Sequence, residues 1–351
     1  MRFIGGKSLM LERIDEVMNE HTDNDVEIVG DLFCGSAVVS RFFKQKGKKV
    51  ISNDLMYMSY ILARGMNELN DKPNFSGLDG LDVFEYLNGL REPLLEEEAF
   101  IYKNYSPNGE CDRRYFQPQN AKKIDAIRQQ IEIWYASGKL LESEYYYLLA
   151  CLLSAVPYVA NIAGVYAAYL KHWDQRSYKS LTIEPLNIID SKFECEFYNM
   201  DASQLCKLKE FDLVYIDTPY NQREYIPNYH ILETIAKYDS PEIKGVTGMR
   251  PYQKSKFCSK SSVRNAFVEL FSNVNSKYAI VSYNTEGLLN TEEMLEVFST
   301  YGEVKLYEYP YRRYKSKIPN HAAGLKEQLY FIKLRRNANE ISKKSDELYR
   351  E

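Results

Sequence analysis

The sequence from residue 26 to residue 46 reads VEIVGDLFCGSAVVSRFFKQK. Its first part, Val26–Phe33, is apolar and typical of a buried parallel strand, while Val38–Lys46 has the composition of a helix. The residues between them, Cys34–Ala37, are small and predict a tight turn. Strand, turn and helix in this order form the first half of a βαβ unit, so the segment predicts an α/β fold.

The alternation of strands and helices continues on both sides of a long interruption. Lys49–Asn53 predicts a second strand, and Met56–Leu69 predicts the helix that follows it. Between residues 79 and 195 the alternation is missing, and apolar residues at helical spacing predict a mostly helical insertion. The later predicted elements are the strands Phe211–Ile216, Lys277–Ser282, Glu303–Tyr309 and Leu329–Leu334 and the helix Thr291–Thr300.

Length and composition describe a folded chain of enzyme size. The 351 residues are 45% hydrophobic and 27% charged, which is enough to bury a core. The length predicts about two domains, or one domain with a large insertion. The six cysteines form no CxxC pair and there are four histidines, so neither a zinc site nor a disulfide framework is expected. Free thiols and an N-terminus without an apolar leader indicate the cytoplasm.

The stretch Tyr145–Leu170 contains no charged residue and is longer than the ~20 residues that a bilayer span requires. Pro157, Asn161 and Gly164 interrupt it, and no second stretch of this kind is present. We therefore predict that it is buried in protein and that the chain does not associate with a membrane.

Basic residues are concentrated in two blocks, although the net charge is −4. Ile243–Val268 contains six basic residues and no acid, and Lys305–Lys317 contains five together with four tyrosines. Such blocks usually form a solvated surface. Tyrosine rings beside Lys and Arg also provide the stacking and phosphate contacts that nucleic acids require, so both interpretations stay open.

Four short motifs lie where an α/β fold binds ligands. The turn Asp31–Ala37 presents small residues at a helix N-terminus, although a single glycine is also typical of a plain tight turn. Asp54 follows the second strand, where an acid binds ribose hydroxyls, but it could instead cap the next helix. Asp217–Tyr220 ends a buried strand at the same predicted edge. Phe3–Lys7 combines an aromatic ring, two glycines and a lysine.

The order of these motifs resembles that of the Dam-type, or alpha-group, adenine-specific DNA methyltransferases. FIGGK, DLFCGSA, NDL and DTPY follow one another, with the long insertion before the last. The similarity covers Met1–Asp71 and about Phe197–Leu334. MRFIGGK and YNQREYIPNYHILETIAKYD (220–239) are most similar to the modification methylases of type IIS restriction systems. The resemblance implies a Rossmann-like mixed sheet, with a catalytic domain of residues 1–78 and 196–336, a target-recognition insertion of residues 79–195 and a polar tail of residues 337–351.

The resemblance also implies roles for individual residues. Those implied to bind S-adenosyl-L-methionine are Phe3, Gly5, Gly6, Lys7, Asp31, Phe33, Cys34, Gly35, Ser36, Asp54, Asp201 and Asp217. Within this set, Lys7 matches the residue for the methionine carboxylate, Asp54 that for the ribose hydroxyls and Asp201 that for the adenine. The residues that match the catalytic DPPY tetrad are Asp217, Thr218, Pro219 and Tyr220.

The sequence departs from the family pattern at two positions. Thr218 replaces the first proline of the tetrad but keeps the backbone carbonyl, which is the group that the family mechanism uses. Ala37 replaces a glycine of the first turn, which matters little unless the backbone needs a positive φ there.

By this resemblance the chain is a site-specific DNA adenine-N6 methyltransferase that acts on double-stranded DNA. The Asp217 carboxylate and the Thr218 carbonyl would accept hydrogen bonds from the amine of a flipped adenine stacked on Tyr220. No group is expected to titrate near neutral pH for the transfer itself. The residues predicted to contact DNA are Lys171, Arg176, Lys179, Arg223, Arg250, Lys254 and Lys256. A cognate restriction endonuclease is a candidate partner, and the chain is expected to be a monomer.

Two other classes of protein remain compatible with the motifs. RNA and protein-glutamine methyltransferases present a planar amine at a similar strand end, but they usually have Asn at the position of Asp217 and lack an insertion before the tetrad. The second of these classes is a non-catalytic DNA-binding or cofactor-sensing module, which would apply if Thr218 disables the tetrad.

Overall fold

The structure is a computed structural model that describes residues 6–23, 25–107, 111–222, 224–310 and 325–335. Seven strands are found within these ranges. They are β1 (Ile28–Asp31), β2 (Lys49–Asn53), β3 (Glu196–Tyr198), β4 (Phe211–Ile216), β5 (Ser276–Asn284), β6 (Gly302–Pro310) and β7 (Lys326–Leu334). Except for β3, each was predicted within a few residues. Most of them are short apolar runs bounded by turn residues, whereas β6 contains the charged residues Glu303, Lys305 and Glu308.

The strands form one mixed sheet in the order β3-β2-β1-β4-β5-β7-β6. The pairs among β1 to β5 are parallel, whereas β7 runs antiparallel between β5 and β6. The predicted mixed α/β fold is therefore confirmed. The strand order changes direction between β1 and β4, and the crevice at the carboxyl ends of such strands is where open α/β sheets bind ligands.

Eleven α-helices occur in the described ranges. They are α1 (Leu11–His21), α2 (Val38–Gln45), α3 (Tyr57–Asn67), α4 (Val83–Gly89), α5 (Phe100–Tyr105), α6 (Pro118–Ala136), α7 (Glu142–Ala155), α8 (Ala202–Leu208), α9 (Tyr225–Lys237), α10 (Val263–Asn273) and α11 (Thr291–Tyr301). The helices α4 to α7 belong to the insertion, and the others belong to the two segments that build the sheet.

Both faces of the sheet are covered by helices. On one face, Val29 and Leu213 pack against α1 and α2. On the other face, Val214 and Ala279 pack against α8, α10 and α11. Burial on both faces explains why the central strands are almost continuously apolar.

A third core joins the insertion to the rest of the molecule. Ile61 of α3, Leu148 of α7 and Leu232 of α9 are fully buried in one apolar cluster. At Gly65 of α3, an added Cβ would lie 2.3 Å from the Cβ of Ala150, so only glycine permits this close approach of α3 and α7. The insertion therefore packs directly on helices of the sheet-forming segments.

The helical part of the insertion ends at Ala155. After a short 3-10 turn at Val156–Tyr158, the chain is irregular up to Cys195 except for a second turn at Gln175–Tyr178. The first part of the charge-free stretch lies in α7, whose residues from Tyr147 to Leu153 are buried in the core, as predicted for this part. Among the described helices, none combines the length and the apolar character that a membrane crossing requires.

Candidate active site

A cavity with an empty volume of about 1290 Å³ lies at the carboxyl ends of β1, β2 and β4. The described parts of all four predicted motifs contribute to its wall. The lining residues that the sequence pointed to are Gly6, Lys7, Asp31, Phe33, Cys34, Gly35, Ser36, Asp54, Asp201, Asp217 and Pro219. The fold thus brings together in one cavity residues from both ends of the chain.

The turn after β1 approaches the cavity with its backbone. Gly35 has a φ of +49° and Ala37 a φ of +59°. The left-handed conformation is therefore required at Ala37, where it costs an alanine roughly 1 kcal/mol relative to glycine. The replacement was expected to matter only if the backbone needs a positive φ at this position, and that condition is met.

Asp54 connects the turn after β1 to the end of β2. One carboxylate oxygen accepts from the backbone N–H of Gly35 at 2.8 Å and the other from that of Met56, also at 2.8 Å. The residue that caps α3 is Met56 and not Asp54. Burial raises the pKa of Asp54 to about 6, although the two backbone bonds oppose this shift.

Asp31 carries an unpaired oxygen in the cavity. Its Oδ2 atom accepts from the N–H of Ser40 at 3.0 Å and from the hydroxyl of Ser40 at 2.6 Å. Its Oδ1 atom is buried and has no partner among the described residues. Burial raises the pKa of this carboxyl to about 7. A buried acceptor without a partner is rare in proteins, and here it suits a ligand that carries a cation or a donor.

Asp217 follows β4 and forms an ion pair with the N-terminal motif. The Nζ atom of Lys7 lies 3.1 Å from Oδ1 of Asp217 and 2.5 Å from Oε1 of Glu327. Burial alone lowers the pKa of Lys7, but the charges of Asp217 and Glu327 outweigh burial and hold that pKa well above its usual value. Because two protein carboxylates engage the ammonium group, this geometry argues against its predicted role of holding a ligand carboxylate.

Glu327, the second partner of Lys7, was not recognised from the sequence. It lies on β7, its side chain is buried, and it also accepts from the hydroxyl of Ser282 at 2.7 Å. A glutamate at the start of an otherwise apolar strand is the only signal in the sequence. Such a signal is weak, because the ends of strands often carry solvent-exposed charges.

The rest of the tetrad is held by β5 and the loop after it. Thr218 is 1% exposed, and its hydroxyl has no partner among the described residues. Tyr220 is half-buried, its ring meets that of Tyr283 edge to face at 6.5 Å, and its carbonyl accepts from the N–H of Leu288 at 2.8 Å. Pro219 lines the cavity.

Two aromatic residues of the cavity were also missed. Tyr225, the first residue of α9, lines the cavity, and burial together with the charge of Asp217 raises its pKa well above the usual value. The phenol therefore stays protonated and can donate a hydrogen bond. Phe257 meets Phe33 edge to face at 5.3 Å and lines the same cavity. Phe257 belongs to no motif, and Tyr225 lies in the stretch 220–239 that carries the resemblance but was given no role there.

Asp201 lines the cavity from the start of α8. Its Oδ1 atom accepts from the N–H groups of Ser203 and Gln204, which makes it the N-cap of that helix. The cap uses only one of the two carboxylate oxygens. The predicted role toward an adenine is therefore compatible with the capping role.

The basic block in residues 243–268 is largely neutralised by acids from other segments. Arg250 is 6% exposed and donates to both oxygens of Asp239, so its guanidinium is already engaged and this geometry argues against the predicted DNA contact. Lys256 pairs with Glu269 at 2.7 Å. Lys254 is exposed at the wall of the cavity. The sequence of the basic block did not reveal these pairs, because the acidic partners lie outside the block.

The irregular part of the insertion presents the other predicted DNA contacts. Lys171 and Lys179 are exposed, whereas Arg176 is half-buried and donates to the carbonyl of Ile162. The buried Asn161 holds this segment: its side chain donates to the carbonyls of Arg114 and Leu170 and accepts from the N–H of Asp174.

Several predictions fall on positions outside the described residues. These are the roles of Phe3, Gly5 and Arg223, the second half of the basic block Lys305–Lys317, and the polar tail of residues 337–351.

Comparison with known proteins agrees with the motifs in this cavity. The family model of D12 class N6 adenine-specific DNA methyltransferases matches residues 3–297. The chain is 44% identical over 339 residues to type II methyltransferase M.FokI of Planomicrobium okeanokoites, and 40% identical over 339 residues to modification methylase StsI of Streptococcus sanguinis. Each of these alignments covers 95% of this chain and 52% of the relative, so the chain spans about half the length of these two proteins.

A third relative has nearly the same length. The chain is 39% identical over 330 residues to type II methyltransferase M.NlaIII of Neisseria lactamica, and the alignment covers 92% of this chain and 96% of that protein. The predicted resemblance to adenine DNA methyltransferases and modification methylases is thereby confirmed. The chain belongs to the D12 class of N6 adenine-specific DNA methyltransferases.

Proposed function

We propose that this chain transfers a methyl group from S-adenosyl-L-methionine to the N6 atom of adenine at a specific site in double-stranded DNA. The observation that carries this proposal is the position of Asp217. Asp217 directly follows β4, and its carboxylate lies in the same cavity as Asp31 and Asp54. An acceptor for an amine therefore lies beside two carboxylates suited to a cationic, hydroxyl-bearing ligand.

The cavity residues fit this methyl donor. When bound, S-adenosyl-L-methionine supplies a methyl group on a sulfonium centre, which is a cation. The unpaired Oδ1 atom of Asp31 is suited to an ammonium group, and the carboxylate of Asp54 to ribose hydroxyls. Asp201 would hold the adenine amine, and the rings of Phe33 and Phe257 offer apolar surface for a base.

Asp217 and Thr218 would act on the target amine. The amino group of adenine is a poor nucleophile because its lone pair is delocalised into the ring. Hydrogen bonds from its two N–H groups to the Asp217 carboxylate and the Thr218 carbonyl favour a pyramidal nitrogen and strengthen as positive charge develops there. Alignment of the two reactants at ~3 to 3.5 Å can supply ~7 to 11 kcal/mol of the barrier.

The ionised carboxylate of Asp217 accepts this bond more strongly than the protonated acid and stabilises positive charge on the amine nitrogen, so transfer favours the ionised form. Burial raises its pKa to about 6, with the charge of Lys7 opposing and that of Glu327 adding to the shift. We therefore revise the expectation that no titrating group matters near neutrality. Transfer should decline as the pH falls through about 6.

The target base has to leave the duplex to reach this cavity. Tyr220 offers a half-buried ring for stacking, and Tyr225 adds a second ring with a protonated hydroxyl. The exposed candidates for phosphate contacts are Lys171, Lys179 and Lys254. Arg176 and Lys256 could contribute less, because Arg176 already donates to the carbonyl of Ile162 and Lys256 already pairs with Glu269. We no longer include Arg250, and the contact predicted for Arg223 stays a prediction.

The names of the relatives, type II methyltransferase and modification methylase, support a role in protecting DNA from a cognate restriction endonuclease. The partner endonuclease, the cytoplasmic location and the monomeric state stay predictions. No observation on this cavity favours an RNA or protein substrate.

The proposal is tested by methyl transfer from labelled S-adenosyl-L-methionine to duplex DNA, RNA or protein. We expect label on adenine of duplex DNA and none on the other two. Asp217→Ala should abolish transfer but leave DNA binding intact, because this residue acts on the amine and not on the backbone of the duplex. Asp212→Ala is the matched control, since Asp212 lies at the opposite end of the same strand and pairs with Lys277. Turnover by Asp217→Ala, or label on RNA or protein alone, would refute the proposal.

A further inference from the structure

We propose that Glu327 is a positioning residue for methyl transfer, because it holds the Lys7 ammonium on one side of Asp217 and leaves the other carboxylate oxygen free for the target amine. This inference rests on the proposed function, in which Asp217 accepts that amine. Neither motif order nor the family comparison assigns a role to Glu327, since the family match ends at residue 297.

Lys7 contacts two carboxylates, so three charged groups lie together. Its Nζ atom lies 3.1 Å from Oδ1 of Asp217 and 2.5 Å from Oε1 of Glu327. Lys7 is 6% exposed and Glu327 is 2% exposed, so water does not screen this contact. An ammonium group that two carboxylates hold cannot move to bridge the two oxygens of Asp217.

Glu327 is itself fixed by the sheet. It pairs in register with Asn284 of the neighbouring strand β5. Its Oε1 atom accepts from the hydroxyl of Ser282 at 2.7 Å, and its Oε2 atom accepts from the side-chain amide of Asn284 at 3.3 Å. Because β7 is antiparallel to β5, its first residues lie at the same edge of the sheet as the carboxyl ends of the parallel strands. The position of the glutamate is therefore set by rigid backbone.

The charge of the group explains why a second carboxylate is useful there. Lys7 and Asp217 alone would form a neutral pair, whereas the addition of Glu327 gives a net charge of −1 beside the cavity. A negative charge favours both a cationic donor and the positive charge that develops on the amine nitrogen. A neutral pair would lose this electrostatic stabilisation.

Five titratable groups lie close enough to Asp217 to interact with it electrostatically. They are Lys7, Glu327, Asp31 and the phenols of Tyr215 and Tyr225. Lys7 lowers the pKa of Asp217 and Glu327 raises it. Removal of one charge at a time should therefore move this pKa in opposite directions, and a role of Glu327 in sheet stability alone predicts no such pattern.

The first test is a titration of Asp217 that does not depend on catalysis. We would label the aspartate carboxyl carbons with ¹³C, assign the Asp217 signal with Asp217→Asn, and follow it by NMR in wild type, Glu327→Gln and Lys7→Met. Glu327→Gln should lower the midpoint and Lys7→Met should raise it, each by about one pH unit. Glu308→Gln is the matched control, because Glu308 also pairs with a lysine, Lys326, but this pair lies at the surface.

The second test is kinetic. Glu327→Gln should lower kcat by about 10- to 100-fold through misplacement of Asp217, with little change in the KM for DNA and a smaller increase in the KM for the cationic donor, since one negative charge beside the cavity is lost. The acid limb of its pH profile should also move to lower pH. The proposal would be overturned if the midpoint and the kcat of Glu327→Gln equal those of Glu308→Gln. It would also be overturned if the midpoint of Glu327→Gln rises. If wild type transfers no methyl group while the NMR midpoints shift as expected, the proposed function fails and the arrangement around Asp217 stands.

Discussion

Asp31, Asp54 and Asp217 are three carboxyl groups that share one cavity, and burial raises the pKa of each. Asp31 is the most perturbed of the three, and one of its oxygens has no partner among the described residues. Such an arrangement is unfavourable for the ligand-free protein and favourable for a cationic ligand, since the ligand supplies the missing charge. These three carboxyl groups therefore lower the stability of the ligand-free protein and favour the binding of a cationic ligand.

Asp31→Asn should stabilise the ligand-free protein and weaken donor binding by about tenfold or more, because a neutral amide replaces the carboxylate. The pKa of Asp31 is raised from 3.8 to about 7, so the stability it contributes is fully present below about pH 4 and is lost as the pH rises through about 7. The melting temperature of the variant relative to wild type should therefore increase across this window, by about 5 °C or more.

Differential scanning calorimetry between pH 4 and pH 8 measures this difference, and isothermal titration with S-adenosyl-L-methionine measures the affinity. Asp82→Asn is a suitable control, because Asp82 caps α4 on an exposed surface and asparagine caps equally well. A constant difference in melting temperature across the pH range would contradict the prediction.

At the scale of the element, α9 connects the tetrad to the insertion. Glu233 accepts from the N–H groups of Tyr57 at 3.1 Å and Met58 at 2.8 Å, which fixes α9 to the first turn of α3. Nε2 of His230 lies 3.0 Å from the carbonyl of Tyr166 in the insertion. Burial lowers the pKa of His230 to about 4, so the imidazole is neutral at physiological pH and donates through Nε2. The insertion is thus held at a defined position relative to Asp217.

Asn161→Ala should loosen the segment that carries Lys171 and Lys179, because it removes three hydrogen bonds between the Asn161 side chain and the backbone. We expect a loss of about 2 kcal/mol in the free energy of unfolding. We also expect weaker discrimination between the cognate site and single-base variants, with unchanged donor binding. Methylation rates on a set of altered duplexes measure the discrimination.

Asn88→Ala is the matched control for this prediction. Asn88 also bonds backbone groups of the insertion, but at Ile183, beyond the segment that carries the two lysines. The control should lose stability and keep its discrimination. Equal discrimination in the two variants would mean that Asn161 has no part in site recognition.

At the scale of the whole molecule, the distribution of charge matters more than its sum. Many of the basic side chains pair with acids that the fold brings beside them, such as Arg264 with Glu296 and Lys209 with Glu196. A paired cation releases few counterions when DNA binds. The number of phosphate contacts should therefore be smaller than the number of basic residues in the sequence suggests.

Lys254→Ala should reduce the slope of log K against log salt concentration by about 1, because Lys254 is exposed at the mouth of the cavity. Lys256→Ala should change the slope by less, since Glu269 already neutralises that side chain. Fluorescence anisotropy of a labelled duplex at several salt concentrations measures both slopes. Equal slopes in the two variants would show that the ion pair of Lys256 opens on DNA binding.

Six of the seven described strands and most of the acids of the site could be predicted from the sequence. Short apolar runs that end in polar turns specify β1, β2 and β4, because burial on both faces leaves little choice of residue there. The parallel sheet then requires that Asp31, Asp54 and Asp217 meet at one edge, since all three stand at the carboxyl ends of these strands. These predictions depend on contacts within short segments and on one general rule of topology.

Which charges are free and which are paired follows from the packing of the folded chain. Glu327 lies opposite Lys7, Arg250 is buried against Asp239, and a positive φ is required at Ala37. The first two depend on the way distant or irregular segments pack, which leaves no periodic signal in the sequence. The third depends on how the turn must bend to bring the backbone to the cavity. Short-range patterns fix elements, whereas the electrostatics of a buried site depends on distances that only the folded chain defines.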